Sequence, residues 1–126
     1  NGYVIPPGMF DNDEGLLNLI ENRMTIHFIH RGLAYLLVLL IILLSIRLYK
    51  IKGNLLIEKN RSWPLILVAA QVILGILSVL TSLRIVPNRW GAFEWMAQLH
   101  QLMAMFLLLS LVWVLYMVRS KNPIKV

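Results

Sequence analysis

Three long apolar segments that carry almost no charge constrain this chain more than any other feature of its sequence. They span roughly residues 24–46, 63–83 and 95–118, and Arg31 is the only formally charged residue within them. A helix needs about 20 apolar residues to cross a bilayer, and lipid offers no hydrogen-bond partner to an unpaired backbone. The sequence therefore predicts an all-α, polytopic membrane protein with three transmembrane helices.

The composition excludes an ordinary soluble domain. The 126 residues are 59% hydrophobic and 14% charged, whereas soluble domains are about half apolar and about a quarter charged. A chain this short has too much surface for its volume to hide that much apolar area from water. It contains no cysteine, which excludes disulfides, thiolate metal sites and cysteine nucleophiles. Glycine-rich phosphate loops, serine elbows and paired carboxylates within a segment are also absent from the sequence.

The positions of the basic residues predict the orientation of the segments. Short loops on cytoplasmic sides carry an excess of Lys and Arg, so residues 1–23 are expected outside and residues 119–126 inside, in the cytoplasm or the mitochondrial matrix. Because the basic residues cluster at the ends of apolar runs, nucleic acid is not an expected partner. The apolar residues of the sequence LLNLI, 16–20, predict a short helix on the membrane surface. Eight basic residues lie on the predicted inner side and three on the outer side: Arg47, Lys50, Lys52, Lys59, Arg61, Arg119, Lys121 and Lys125, against Arg23, Arg84 and Arg89.

All three histidines of the chain lie within the apolar segments, at His27, His30 and His100. Ionisable residues in a span are costly and are functional candidates by default. At 1.5 Å per residue, His30 and His100 each lie about 9–10 Å inside a helix that enters from the outer side. Two imidazoles at one depth on parallel helices suit a haem, with one axial ligand on each face of the iron.

Other interpretations of the histidine pair stay open at this point. The two imidazoles would equally serve as an interhelical hydrogen-bonding or proton-relay pair, or as ligands of zinc or another metal. Arg31 would pair with a haem propionate or extend toward lipid headgroups. His27 precedes His30 by three residues and shares much of its face, which favours a role beside the haem, as a propionate contact or proton donor, over ligation.

The second segment carries small and weakly polar residues at heptad spacing. Such a stripe predicts a face that packs against neighbouring helices rather than a catalytic site. Small residues one turn from the histidines would leave room for a flat macrocycle. The stripe comprises Gln71, Gly75, Ser78 and Ser82, and the small neighbours of the histidines are Ala34, Ala97 and Ala104.

Several of these motifs, in this order, resemble heme A synthase. The sequence ENRMTIHFIHRGLA, residues 21–34, resembles the sixth transmembrane helix of that family. The sequence QVILGILSVL, residues 71–80, resembles the seventh helix, and Leu99-His100-Gln101 with Ala104 resembles the eighth. The opening NGYVIP resembles the loop after the fifth helix. His27 departs from the pattern, because glutamine is expected there.

The resemblance implies a function, a cofactor and a place in a larger protein. Heme A synthase has eight helices in two related four-helix halves, and it oxidises the C8 methyl of heme O to the formyl group of heme A for cytochrome oxidase. This chain would be three helices of the C-terminal half, which binds haem b, with His30 and His100 as axial iron ligands. Heme O would be oxidised in the other half, so this chain alone would be inactive and would need the N-terminal half as its partner. Heme O synthase is a further candidate partner, and the electron donor is not implied.

Two other functions fit the same residues. A membrane b-type cytochrome would use the histidine pair to pass electrons without oxidising a substrate. A structural or assembly subunit would use the histidines only as hydrogen-bond partners between helices. For either enzyme or cytochrome the expected location is a bacterial plasma (inner) membrane, with the mitochondrial inner membrane as the alternative.

Overall fold

The computed structural model describes residues 23–84 and 89–119, and throughout these ranges the regular structure is helical. Helix α1 spans Arg23–Lys50, α2 spans Leu55–Asn60, α3 spans Trp63–Thr81 and α4 spans Ala92–Arg119. A short 3₁₀ turn, Ser82–Arg84, follows α3. The predicted surface helix near Leu16 and most of the predicted inner tail lie outside the described residues.

Three helical stretches are long and apolar enough to cross a membrane: Met24–Lys50, Leu55–Thr81 and Ala92–Arg119. Most of their apolar side chains are exposed on the protein surface, as with Leu39 at 52% and Leu108 at 62%. Exposed leucine and isoleucine side chains on long helices suit a surface that faces lipid, because exposing them to lipid carries no free-energy cost. The prediction of an all-α membrane protein with three spanning helices is confirmed.

Helices α1 and α4 extend somewhat beyond the predicted apolar segments, whereas α3 ends at Thr81, slightly before the predicted end at residue 83. Helix α1 continues past Ile46 to Lys50, and α4 begins at Ala92 rather than Trp95. A helix does not have to stop where its apolar residues stop, and the basic side chains of Arg47 and Lys50 are stabilised beside the negative C-terminal end of α1.

Helix α2 was not predicted from the hydropathy pattern. This six-residue helix lies in the polar connector between the first two segments, and it starts at a clear capping residue. The side chain of Asn54 accepts hydrogen bonds from the backbone N–H groups of Leu56 and Ile57. Gly53 precedes it with a φ of 81°, a left-handed conformation that glycine adopts at little cost. The turn at Gly53 and the cap at Asn54 therefore separate α2 from α1.

The chain divides into two units, and the boundary falls within α1: Asn1–Leu40 and Ile41–Val126. In the second unit, the C-terminal part of α1, the short helix α2 and the C-terminal part of α4 share an apolar core. Its buried members are Leu48, Ile57, Val114 and Met117.

Helices α3 and α4 pack against each other in the second unit. They are consecutive antiparallel helices, so residues that are equally far from their connector lie opposite each other. The half-buried stripe includes Gln71, Gly75 and Ser78 on α3 and continues to Ser82 in the 3₁₀ turn that follows it, which confirms that this face packs against a neighbour. The packing of α3 on α4 is what positions His100.

Candidate functional site

The imidazole of His100 lies directly against the backbone of α3 at Gly75. A Cβ atom added at Gly75 would come within 3.1 Å of Cε1 and 3.5 Å of Nδ1 of His100. Ordinary van der Waals contact needs more than about 3.4 Å between such atoms. Because glycine has no side chain, the helix offers a notch at this position, and the half-buried ring of His100 occupies it.

Both ring nitrogens of His100 lie within hydrogen-bonding distance of a single residue, Gln71. Nδ1 is 3.1 Å from the backbone carbonyl oxygen of Gln71, and Nε2 is 3.3 Å from its side-chain amide nitrogen. A carbonyl oxygen only accepts, so the proton of the neutral ring belongs on Nδ1. Nε2 then carries a lone pair, which accepts a hydrogen from the amide of Gln71.

The hydrogen bond from Nδ1 of His100 to the main-chain carbonyl of Gln71 is of the kind that metal-binding histidines make. Such histidines donate their other ring N–H to a backbone carbonyl or a carboxylate, which fixes the tautomer and makes the ligating nitrogen more basic. His100 meets this requirement through the main chain of α3, so its side chain fits the role of an axial haem ligand.

The contact of Gln71 and Gly75 with His100 was not predicted from the sequence. Both residues were expected to lie in a packing stripe, which is correct, but their specific partner was not expected. A signal was present: residues 75 and 100 are almost equally far from the connector between Arg84 and Ala92. In two antiparallel helices such positions face each other.

His27, His30 and Arg31 belong to the first unit and are exposed on α1. Their spacing of three and four residues places them on neighbouring positions of one helical surface. Helix α1 contains no Asp or Glu, so it offers Arg31 no carboxylate of its own. Gly32 has open space around it, since a Cβ built there meets nothing within 4 Å among the described residues.

Other features of the described residues do not form a competing site. No three His, Asp or Glu side chains come together in residues 23–84 and 89–119 as a group that could hold a metal ion. A surface groove lined by Trp63, Leu109, Trp113 and Tyr116 is almost wholly apolar and contains no histidine.

These observations define the class of protein: a multi-pass α-helical membrane protein that carries its histidines within its apolar helices. The family model of the cytochrome oxidase assembly proteins matches residues 1–112 of the chain. Heme A synthases from bacteria are similar to it, and the chain belongs to the heme A synthase family.

Three of the similar heme A synthases illustrate the extent of the match. That of Bartonella tribocorum is 31% identical over 108 residues, covering 86% of this chain and 28% of its own length. The heme A synthase of Wolbachia pipientis wMel is 34% identical over 80 residues, covering 64% of this chain and 21% of its own length. The heme A synthase from the Wolbachia of Culex pipiens is 38% identical over 80 residues, covering 64% of this chain and 22% of its own length. The chain thus spans about a quarter of the length of these relatives. No solved structure matches it.

Proposed function

We propose that this chain is part of a heme A synthase, an oxidoreductase that converts the C8 methyl of heme O to the formyl group of heme A. The conversion of R–CH₃ and H₂O to R–CHO releases four protons and four electrons. The observation that carries the proposal is the imidazole of His100, held by Gln71 in the tautomer of a metal ligand within a chain of this family.

In this proposal His30 and His100 are the two axial ligands of a haem b. His30 follows the first residue of α1 by seven positions, and His100 follows the first residue of α4 by eight. At 1.5 Å per residue these positions are about 10–12 Å from the start of each helix. If both helices enter from the outer side, as the basic residues predict, the two imidazoles reach the same depth.

A bound haem b supplies one-electron transfer. His30 and His100 would hold this haem, and the chemistry it would supply to the enzyme is electron transfer. The oxidation of heme O would then belong to the remaining part of the enzyme. His100 would contribute a basic nitrogen to this site.

The proposed location is a bacterial plasma membrane, with the connector between α1 and α3 in the cytoplasm. The relatives described above are bacterial proteins, and Arg47, Lys50 and Lys59 in or near this connector are exposed. The positive-inside rule places such a connector on the cytoplasmic side.

The function is tested by haem analysis in a bacterium that makes heme O but lacks its own heme A synthase. The complete product of the gene should cause heme A to accumulate, and the variant His100→Ala should abolish this. Bound haem b without any conversion of heme O would support an electron-transferring cytochrome instead. Absence of any bound haem would overturn both functions.

We further propose that Arg31 pairs with a haem propionate. Replacing Arg31 with leucine should weaken haem retention by about fivefold to tenfold, because a charge-assisted hydrogen bond in a partly solvated place contributes roughly 1 kcal/mol or slightly more. The measurement is the haem-to-protein ratio after washing in detergent, together with the reduction potential.

The matched control for this prediction is Arg31→Lys. Lysine keeps the positive charge but lacks the two-pronged geometry of arginine, so this variant should retain more haem than Arg31→Leu. Equal haem content and potential in Arg31→Leu and the unmodified protein would mean that Arg31 extends to lipid headgroups.

A further inference from the structure

Gln71 contacts the two ring nitrogens of His100 in two different ways. Its main-chain carbonyl oxygen accepts from Nδ1, and its side-chain amide donates to Nε2. The first contact depends only on the backbone of α3, so any residue at this position can make it. The second contact depends on the side chain being glutamine.

The hydrogen bond to Nε2 and the coordination of iron require the same electrons. A neutral imidazole has one σ lone pair, and with the proton on Nδ1 this pair lies on Nε2. This lone pair either accepts a hydrogen bond from the amide of Gln71 or binds a metal, and it cannot do both at once. No proton or redox electron moves when one partner replaces the other.

The side chain of Gln71 is incompletely satisfied in its contact with His100. Its oxygen, Oε1, is buried and has no hydrogen-bond partner among the described residues. A buried unpaired carbonyl oxygen is unfavourable, so the contact between the amide and Nε2 carries an internal penalty. A rotation of the Gln71 side chain that gave Oε1 a hydrogen-bond partner would remove that penalty. The same rotation would release Nε2 of His100 from the amide.

We propose that the side-chain amide of Gln71 competes with the haem iron for Nε2 of His100, while its main-chain carbonyl holds the Nδ1 proton throughout. This inference rests on the proposed function, because it takes His100 as an iron ligand. Gln71 is then a positioning residue that acts in two opposite ways. Its main-chain carbonyl keeps the proton on Nδ1 of His100, so that Nε2 is able to bind iron, and its side-chain amide slows the binding of iron to Nε2.

The direct test is the rate at which haem binds to protein prepared without haem. Leucine has a similar size to glutamine and cannot donate a hydrogen bond, so Gln71→Leu should bind added haem roughly 2- to 10-fold faster, the effect of removing one neutral hydrogen bond. The rate of haem loss should change little. Stopped-flow absorbance in detergent measures binding, and transfer to an excess of a haem acceptor measures loss.

The matched control is Gln98→Leu. Gln98 is exposed on α4, two residues before His100, so the same chemical change there should leave the binding rate unaltered. A binding rate in Gln71→Leu that is equal to or slower than that of the unmodified protein would overturn the competition.

A second measurement needs no haem. In protein with ¹⁵N-labelled histidine, Gln71→Leu should shift the Nε2 resonance of His100, while Nδ1 stays protonated and the signals of His27 and His30 stay in place. An unmoved Nε2 signal would overturn the inference. If His100→Ala has no effect on haem content, the proposed function fails, and this spectrum still reports separately whether Gln71 binds Nε2.

Discussion

Replacing His100 with alanine should lower the haem content of the purified protein by more than about tenfold, and replacing His30 should do the same. The loss of even a hydrogen-bond partner of a metal-bound histidine costs roughly 10- to 100-fold in metal affinity, so the loss of an axial ligand itself should cost at least as much. Absorbance of the reduced pyridine complex of the haem, divided by protein concentration, measures the effect.

His27 provides the matched control for this prediction. It lies one helical turn before His30 and is exposed on the same helix, but it is proposed to lie beside the haem rather than bind its iron. His27→Ala should therefore retain haem. Added imidazole should restore haem binding to His100→Ala, since it replaces the missing ligand. If His27→Ala loses as much haem as His30→Ala, the assignment of the ligand on α1 is wrong.

Replacing Gly75 with leucine should produce the second large effect. The notch at Gly75 holds the ring of His100, and even one added Cβ would approach Cε1 to 3.1 Å. A branched side chain there forces the ring away from α3 and breaks its hydrogen bond to the carbonyl of Gln71. Over-packing of this kind costs about 1–3 kcal/mol, and we expect haem content to fall by roughly tenfold.

The dependence on side-chain size distinguishes this explanation from a general loss of stability. Gly75→Ala requires the ring to move by only a few tenths of an ångström, so it should retain most of the haem. Ala69→Leu adds a large side chain at an exposed position of the same helix, and it should have no effect on haem. Equal haem content in Gly75→Leu and the unmodified protein would show that the notch does not position His100.

Much of this fold follows from the sequence because lipid leaves few choices. An apolar segment of about 20 residues has to form a helix, since its backbone groups find no other partners in the bilayer. The exact ends depend on capping and on packing at the membrane surface. Helix α2 was missed for this reason: its existence depends on the cap at Asn54 and on the burial of Ile57 against α4, neither of which a hydropathy pattern contains.

The candidate site was only partly predictable. His100 stands out in the sequence because an ionisable residue in an apolar span is costly. Its contacts with Gln71 and Gly75 depend on the register between α3 and α4, which packing determines and which composition alone does not reveal. The pairing of His30 with His100 stays a prediction from their positions along separate helices.

The most direct test of the central claim is the electron paramagnetic resonance spectrum of the oxidised protein. Iron held by two imidazoles should give a low-spin ferric signal, and that signal should disappear in both His30→Ala and His100→Ala while it persists in His27→Ala. A high-spin signal in the unmodified protein, or a low-spin signal that survives either substitution, would contradict the assignment of His30 and His100 as the axial ligands.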